Sequence, residues 1–268
     1  MNPGEAFEIK CVEYLKGRYG NNNITFEHEG SMDSTISDIS VLKNGNVKFF
    51  IEAKDTTAQS GQFVLLPDEN TKNFIFSPKN RSLPNEMTEI IINYMNKDFE
   101  RFNNAGTAGE ALNIDSAIFV NWIIEHYKER NVKYVISYHN DYIILPIRKF
   151  ADYFDVTAKY RIKKSGSSEP AKKDIPTLKE TILNVYPNTV FSTNGKKLYA
   201  SINVSLSKDR FVLGRYTYYF SSQASNLYEV RRLSNTYNMN VIFSIKSKCP
   251  QINSDLAEFE TELYNFID

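Results

Sequence analysis

Hydrophobic positions recur at helical and strand spacings along the first 150 residues of the chain. The predicted helices of this part cover 4–19, 85–100 and 115–130, and the predicted strands cover 24–27, 36–42, 47–53, 62–66, 133–138 and 142–147. Asn44-Gly45, between the second and third strands, is a strong hairpin signal. We expect Pro67 to end the strand over 62–66, since proline cannot donate to a strand ladder.

The hydrophobic pattern changes at residue 163. The polar stretch over 163–176 contains two prolines and predicts a domain edge. After it the pattern predicts helices over 178–185 and 255–266 and strands over 197–206, 211–221, 227–233 and 240–245. Helices interspersed with strands in both parts favour an α/β (α+β) fold with more than one sheet.

The composition is that of a globular protein with a sizeable core. The 268 residues, with 41% hydrophobic side chains, are enough for one large domain or two to three small ones. No run of 18 apolar residues is present to cross a membrane. The first 13 residues carry three acids and no apolar segment, so they do not predict a signal peptide. Cys11 and Cys249 are expected to be free thiols in a cytoplasmic protein.

Charge is distributed unevenly along the chain, although the formal net charge is zero. Residues 1–150 carry 16 basic and 20 acidic side chains, whereas residues 151–250 carry 16 basic and 7 acidic ones. This distribution is typical of a protein that binds a polyanion and holds carboxylates in its active site. Chance segregation of charges on a solvated surface remains the alternative.

The candidate chemistry lies at the end of the third predicted strand. Asp38 comes from the strand before it, and Glu52 and Lys54, two positions apart, project to the same face. The carboxylates of Asp38 and Glu52 and the carbonyl of Ala53 predict an oxygen-rich site for a hard cation such as Mg²⁺. Lys54 beside it can orient or deprotonate a metal-bound water and stabilise the charge of a phosphate. The pattern therefore favours phosphodiester hydrolysis.

Two observations limit the weight of this pattern. Glu-x-Lys is a common sequence, and Glu8-Ile9-Lys10 repeats its spacing inside the first predicted helix. A solvated ion pair at the end of a strand therefore remains the alternative to a nuclease site. Gln62 follows the motif strand closely enough to approach a metal-bound water or a phosphate. The three histidines share no metal-site spacing, and the chain has neither a G-x-S-x-G elbow nor a P-loop, so esterase and NTPase functions have no support.

A second candidate is the basic stretch from Tyr160 to Ser168. Its order is Tyr160-Arg161-Ile162-Lys163-Lys164-Ser165-Gly166-Ser167-Ser168. Alternating side chains at the end of a strand, followed by hydroxyl residues, can enter a groove of duplex DNA, where lysine donates to guanine and serine contacts a base or a phosphate. A solvated lysine-rich loop explains the same residues. Lys246 and several arginines on later strands have the positions expected of contacts with the DNA backbone, although a core with a charged outer face would show much the same pattern.

The motif residues resemble those of a known superfamily. Asp38 with Glu52-Ala53-Lys54 resembles the PD-(D/E)xK nuclease motif, with Ser37 in place of the proline. Further stretches are similar, in order and spacing, to the type II restriction endonucleases of the HhaI type: DSTISDI, F-x-I-E-A-K, SGQFVLLP, FSPKN, FVNWIIEHY, YRIKKSGS and NVIFSI. The similarity extends over most of the chain and is weak over 186–236.

This resemblance implies a restriction-endonuclease-like mixed sheet flanked by helices, with further small mixed β-sheet domains. It implies a catalytic domain over 1–110, a recognition domain over 111–168 with 238–268, and an additional β-rich DNA-contacting domain over 169–237. Asp38, Glu52 and Lys54 are the implied catalytic residues, and Gln62 joins them because of its position. The implied DNA-binding residues are Tyr160, Arg161, Lys163, Lys164, Ser165, Ser167, Asn240 and Lys246.

The implied activity is that of a type II restriction endonuclease of the bacterial cytoplasm. Such an enzyme needs Mg²⁺, cuts double-stranded DNA within GCGC, and leaves a 5′-phosphate and a 3′-hydroxyl. It acts as a monomer away from membranes, and a cognate DNA methyltransferase is its genetic rather than its physical partner. Two other functions remain open from the sequence: a repair or junction nuclease of the same superfamily, which recognises DNA shape, and a DNA-binding protein without catalysis.

Overall fold

The structure is a computed structural model that describes residues 3–29, 37–164, 166–206, 210–233 and 237–265. The chain divides into two compact units, which are unit 1 (Met1–Arg161 with Met239–Asp268) and unit 2 (Ile162–Asn238). Unit 2 is therefore inserted into the sequence of unit 1. Helices and several separate sheets confirm the predicted mixed α/β fold. Within the described residues, no helix is both long enough and apolar enough to cross a membrane.

The helices and strands are numbered in chain order. Up to residue 164 they are α1 (Pro3–Tyr19), β1 (Ile24–His28), β2 (Ile39–Lys43), β3 (Asn46–Ala53), β4 (Thr57–Asp68), β5 (Asn73–Phe76), α2 (Glu86–Asn96), α3 (Phe99–Asn103), β6 (Glu110–Ala111), α4 (Ser116–Lys128), β7 (Val132–Tyr138), β8 (Tyr142–Pro146), α5 (Phe150–Tyr153) and β9 (Phe154–Lys164). They continue with β10 (Ser167–Ser168), α6 (Ile175–Val185), β11 (Val190–Asn194), β12 (Lys197–Ser201), β13 (Arg210–Leu213), β14 (Tyr216–Ala224), β15 (Leu227–Leu233), β16 (Tyr237–Ser247) and α7 (Asn253–Tyr264).

The first sheet of unit 1 carries the motif strand in a central position. Over the described residues its strand order is β1-β2-β3-β7-β8, with β3 and β7 parallel and the other pairs antiparallel. The turn between β2 and β3 has positive φ at Asn44 (52°) and Gly45 (77°), which confirms the predicted hairpin. Helix α1 packs on β1 and β3, and the side chains of Phe26, Phe49 and Tyr134 are buried in the core of this sheet.

The second sheet of unit 1 has the order β5-β4-β16-β9-β6 across the part of the chain that is described. Trp122 of α4 packs on this sheet, stacked on Phe243 of β16 with 4.4 Å between the ring centroids. Gly61 of β4 has a φ of +126°, and a Cβ there would lie 2.6 Å from Trp122 Cζ3. The lack of a side chain at Gly61 therefore allows α4 to approach β4 closely.

Strand β4 is longer than the sequence predicts, because it begins at Thr57 and continues past Pro67 to Asp68. The prediction that Pro67 ends the strand is wrong. In the described register β16 pairs with β4 from Thr57 to Val64, whereas Pro67 lies opposite Phe74 of β5. In this register Pro67 therefore lies where β4 pairs with β5 alone, and proline is tolerated where a strand has one free side.

Unit 2 is built on a sheet in which, over its described residues, β11-β12-β15-β14-β13 are neighbours and β10 joins β15. Leu178 and Ile182 of α6 share a buried core with Tyr218 of β14. The single strand predicted over 211–221 is wrong, because Gly214 (φ +58°) lies in the turn that separates β13 from β14. The predicted division of the chain into catalytic, recognition and additional domains stays a prediction.

Candidate active site

The three residues of the Asp and Glu-x-Lys motif lie together at the end of the central strand β3 of the first sheet. Lys54 Nζ is 2.9 Å from Glu52 Oε1 and 3.6 Å from Asp38 Oδ2. The backbone N–H of Ala53 donates a 2.9 Å hydrogen bond to Asp38 Oδ2. The two carboxylates therefore share one ammonium group, and Asp38 is bound to the backbone of the motif strand. The described part of the chain holds no group of three or more His, Cys, Asp or Glu side chains in a metal-binding arrangement.

Strand alternation places these side chains. The odd-numbered residues from 49 to 53 of β3 are buried in the core with α1, so Glu52 and Lys54 point to the opposite face of the sheet. Strand β2 runs antiparallel to β3 with Ile39 opposite Ile51, which brings Asp38, immediately before β2, level with the end of β3. Since β3 lies between β2 and β7, its backbone is held on both sides.

Burial and charge act in opposite directions on the ionisable groups of the site. Burial alone would raise the pKa of Glu52, but Lys54 and Arg130 outweigh it and hold that pKa below its usual range. Burial, and with it the charge of Glu52, raises the pKa of Asp38 to about 6 against the opposing effect of Lys54. Burial alone would lower the pKa of Lys54, but the two carboxylates raise it above the ordinary value. Glu52 and Lys54 are therefore both charged at neutral pH.

Helix α4 and the residues after it supply side chains next to Glu52 that the sequence does not single out. Arg130 Nη2 lies 3.3 Å from Glu52 Oε2. Tyr127 is buried, and its hydroxyl shares a 2.6 Å hydrogen bond with Ser60 Oγ. Burial, and then the charge of Arg130, lowers the pKa of His126 to about 4, so His126 is neutral at neutral pH.

Gln62 lies on the exposed side of β4 and lines the same cavity as Glu52. Its side-chain oxygen accepts hydrogen bonds from Asn240 Nδ2 at 3.2 Å and from Gln59 Nε2 at 3.1 Å. Asn240 is buried, and its Oδ1 has no hydrogen-bond partner among the described residues. Gln62, a predicted catalytic residue, is therefore hydrogen-bonded directly to Asn240, a predicted DNA-binding residue.

The residues predicted to bind DNA differ in their exposure. Tyr160 is fully buried, and its hydroxyl donates a 3.0 Å hydrogen bond to the carbonyl of Leu65. This corrects the predicted role of Tyr160: alternation along β9 turns its ring into the core of unit 1, so it has no surface for contact with DNA. Arg161 is half-buried, whereas Lys163 and, on β16, Lys246 are exposed.

The serine-rich end of the basic stretch belongs to unit 2. Ser167 Oγ accepts hydrogen bonds from Arg231 Nε at 2.6 Å and from the hydroxyl of Tyr219 at 2.9 Å. Ser167 is therefore held by two neighbouring side chains of its own unit, and its contact with DNA stays a prediction. Ser165 and the side chain of Lys164 lie outside the described residues.

No family model and no curated protein matches this chain. A comparison with solved structures does find a similar protein. The chain is similar to the HhaI endonuclease in complex with DNA, with 37% sequence identity and a TM-score of 0.76. The match covers 98% of this chain and 99% of that chain. The chain belongs to the HhaI-type type II restriction endonucleases.

This membership confirms the resemblance found in the sequence motifs. Because the match to an HhaI-type endonuclease covers 98% of the chain, the likeness includes unit 2 as well as unit 1. The chain is therefore an enzyme of the type II restriction endonuclease class. The weak sequence similarity over 186–236 falls within unit 2 and leaves the motif residues of unit 1 unaffected.

Proposed function

We propose that the chain is a Mg²⁺-dependent restriction endonuclease that hydrolyses phosphodiester bonds within a short specific site of duplex DNA, GCGC. One observation carries the proposal. Asp38, Glu52 and Lys54 meet at the end of a central strand, in a chain 37% identical to the HhaI endonuclease, a protein solved in complex with DNA. The site GCGC and the products, a 5′-phosphate and a 3′-hydroxyl, come from the resemblance to that family.

The donors at the motif fit a hard divalent cation. Asp38 and Glu52 present carboxylate oxygens, and Glu52 Oε2 is buried without a hydrogen-bond partner among the residues described, although Arg130 lies near it. Carboxylates, carbonyls and water are the ligands that Mg²⁺ prefers. Asp38, Glu52 and the carbonyl of Ala53 would hold the ion. The ion would supply Lewis-acid chemistry there, polarising the phosphate and making water more acidic.

The residues around this position orient the nucleophile and the phosphate. Lys54 is charged and lies next to both carboxylates, where its ammonium orients the attacking water and stabilises negative charge on the phosphate. The water attacks phosphorus in line with the 3′-oxygen. The bond from phosphorus to that oxygen breaks, so one strand end keeps the phosphate on its 5′ side and the other becomes a 3′-hydroxyl. Gln62, which lines the same cavity, is placed to donate an amide N–H to the phosphate or the water.

We assign sequence recognition to polar residues of β9, to two serines that follow it in the sequence, and to polar residues of β16. They are Arg161, Lys163, Lys164, Ser165, Ser167, Asn240 and Lys246. A side chain that contacts a base edge discriminates one base pair, whereas a side chain that contacts a phosphate strengthens binding to every sequence. The buried position of Asn240 and its hydrogen bond to Gln62 support a link between recognition and the catalytic site.

Lys163→Ala is expected to separate base contact from phosphate contact. Lys163 is exposed, so its loss changes a surface contact and leaves the core intact. If Lys163 donates to a guanine, the variant loses about 1–3 kcal/mol of binding free energy on GCGC and little on a site altered at that base pair. Binding is measured in EDTA on duplexes that each change one base pair, with Lys10→Ala as the control. Equal weakening on every duplex would assign Lys163 to a phosphate.

The proposal extends to the setting of the enzyme. It includes a monomer with one catalytic site in the bacterial cytoplasm, and a cognate DNA methyltransferase that protects the host sequence without binding this protein. It also includes the division into a catalytic domain over 1–110, a recognition domain over 111–168 with 238–268, and an additional DNA-contacting domain over 169–237. The basic excess of residues 151–250, with 16 basic and 7 acidic side chains, supports DNA contact by the later parts.

A plasmid digest tests the proposed function. We expect discrete fragments with Mg²⁺ and intact plasmid with EDTA, and sequencing of the ends should place every cut within GCGC. Discrete fragments ending at another sequence would keep the enzyme class and discard GCGC. Cleavage confined to junctions or distorted DNA would favour the repair nuclease, and binding without cleavage would favour the non-catalytic DNA-binding protein.

A further inference from the structure

A cavity of about 590 Å³ opens beside Glu52 in unit 1. Its lining residues include Glu52, Gln62, Lys79, Arg81, Glu129 and Arg130. The proposed reaction uses Glu52 and Gln62 but gives the three basic side chains no role. Basic side chains that converge on a cavity next to carboxylates create a local site for an anion.

Arg130 is held rigidly at the wall of this cavity. Its side chain is 14% exposed, and its Nη2 lies 3.3 Å from Glu52 Oε2. The guanidinium carbon lies 5.1 Å from the centroid of the Tyr127 ring, and Nε has no hydrogen-bond partner in the described part of the chain. A guanidinium carries five N–H donors. One that is fixed by a ring and a carboxylate, with donors to spare, fits the bidentate geometry of a phosphate.

A second wall is a turn that Asn80 fixes to strand β4. Asn80 Oδ1 accepts a 2.8 Å hydrogen bond from the backbone N–H of Val64, and Asn80 Nδ2 donates a 2.9 Å hydrogen bond to the Val64 carbonyl. The backbone N–H of Ser77 donates to the same carbonyl at 3.1 Å. The turn therefore pairs with β4 almost as a strand would, and it presents Lys79 as an exposed cation at the cavity.

The balance of charge at the cavity favours an anionic ligand. Glu52 already has a closer cationic partner in Lys54, at 2.9 Å, than in Arg130, at 3.3 Å. His126 also lines the cavity, but burial lowers its pKa to about 4, so it adds no charge at neutral pH. The lining therefore carries three basic side chains, Lys79, Arg81 and Arg130, against two acidic ones, Glu52 and Glu129, and Glu52 is already paired with Lys54.

We propose that Arg130 and Lys79 bind a backbone phosphate of the DNA next to the scissile one. This inference rests on the proposed function, because it takes Glu52 to mark the position of the scissile phosphate. Successive phosphates of one strand advance by about 3.4 Å along the duplex axis, so a neighbour of a phosphate at Glu52 reaches the cavity. Arg130 is then a positioning residue, which sets the register of the DNA strand over Asp38 and Lys54 without touching the reacting atoms.

The salt dependence of DNA binding tests this subsite. A duplex containing GCGC is titrated at several NaCl concentrations in EDTA, so that binding is measured without cleavage. Loss of one phosphate contact makes the slope of log K against log salt concentration shallower by about 0.9. Because the two side chains share one phosphate, we expect this full change for the Lys79→Met/Arg130→Met double variant and a smaller change in the same direction for each single variant. Lys128→Met is the matched control, because Lys128 pairs with Glu125 on the exposed side of α4 and should keep the native slope.

A second measurement locates the phosphate. Each duplex of a series carries a neutral methylphosphonate in place of one phosphate along the site. At one position next to the scissile phosphate, the substitution should weaken binding to the native protein, weaken binding to Arg130→Met less, and leave binding to the Lys79→Met/Arg130→Met double variant unchanged. A general structural defect in Arg130→Met would instead weaken binding to all duplexes by the same factor, which would count against a phosphate contact. Arg130→Lys keeps the charge and should restore the slope.

The outcomes separate this inference from the proposed function. Native protein that binds and cuts duplex DNA, together with unchanged slopes in Lys79→Met and Arg130→Met, would overturn the subsite and leave the endonuclease standing. Native protein that neither binds nor cuts duplex DNA would overturn the proposed function itself. Lys79 is exposed, so Lys79→Met keeps the test decisive if Arg130→Met does not fold.

Discussion

Lys54→Ala is expected to lower the single-turnover rate of DNA cleavage by about 10³-fold or more. In other hydrolases, loss of one preorganised donor that stabilises charge in the transition state already lowers kcat by about 10²–10³-fold. Lys54 Nζ lies 2.9 Å from Glu52 Oε1 and 3.6 Å from Asp38 Oδ2, so the variant loses both the cation that orients the water and the charge beside the phosphate. DNA binding in EDTA should remain, since the residues proposed to contact the grooves are other ones. The rate is measured with enzyme in excess over a single-site duplex.

The chain offers a matched control for this experiment. Glu8-Ile9-Lys10 repeats the Glu-x-Lys spacing, and Lys10 is exposed on α1. Lys10→Ala should therefore cleave at the native rate, whereas Asp38→Ala should behave like Lys54→Ala. Thermal unfolding of each variant separates a chemical loss from a folding loss, because removal of Lys54 leaves two carboxylates without their shared cation. Full activity in folded Lys54→Ala or Asp38→Ala would refute the assignment of the motif.

The largest effect on stability is expected for Trp122→Ala. Trp122 is 3% exposed and stacks on Phe243, and its Nε1 donates a 3.1 Å hydrogen bond to Thr88 Oγ1. The variant leaves a cavity between α4 and the second sheet and leaves Thr88 without this donor. Truncation of a buried aromatic side chain lowers the free energy of unfolding by about 3–5 kcal/mol. Trp122 is the single tryptophan of the chain, so the variant has no tryptophan fluorescence to follow. The change is therefore measured by urea unfolding monitored by circular dichroism.

An exposed aromatic residue provides the comparison for Trp122. Tyr264 of α7 is 55% exposed, and Tyr264→Ala should change the free energy of unfolding by less than about 0.5 kcal/mol. If Trp122→Ala lowers the free energy of unfolding by less than about 1 kcal/mol, the ring contributes little to the packing of α4. That result would contradict the loss usually seen when a buried aromatic side chain is truncated.

The motif strand is the part of the site that the sequence predicts well. Its signals are local: the Asn44-Gly45 turn sets the hairpin, and the two-residue period of β3 places Glu52 and Lys54 on one face. Asp38 follows from the antiparallel register of that hairpin. No contact distant in sequence is needed to bring these three residues together.

The position of the α4 side chains relative to Glu52 cannot be predicted from the local sequence. Ile123, Tyr127 and Arg130 follow helical spacing, so their common face can be predicted. Which surface that face covers depends on tertiary packing, in part on the close approach that Gly61 allows to Trp122. Arg130 is therefore recognised as a neighbour of Glu52 only when the helix is seen against the sheet.

Tyr160 and Gly214 show two other ways in which local patterns mislead. Alternation along β9 predicts two faces but does not say which one is covered, and Tyr160 lies on the covered face. Around Gly214 the apolar pattern continues on both sides of a tight turn, so hydrophobicity alone cannot separate β13 from β14. For Tyr160 the deciding factor is the layer that covers one face of β9, whereas for Gly214 it is the backbone turn at φ +58°.

Unit 2 leaves and re-enters unit 1 through strands that are neighbours in one sheet. The chain departs along β9 and returns along β16, and these two strands lie side by side in the second sheet. In evolutionary terms, a segment with adjacent ends can be gained, lost or exchanged in a single genetic event. A lineage can therefore vary the inserted part as a cassette while it inherits the Asp38, Glu52 and Lys54 site unchanged.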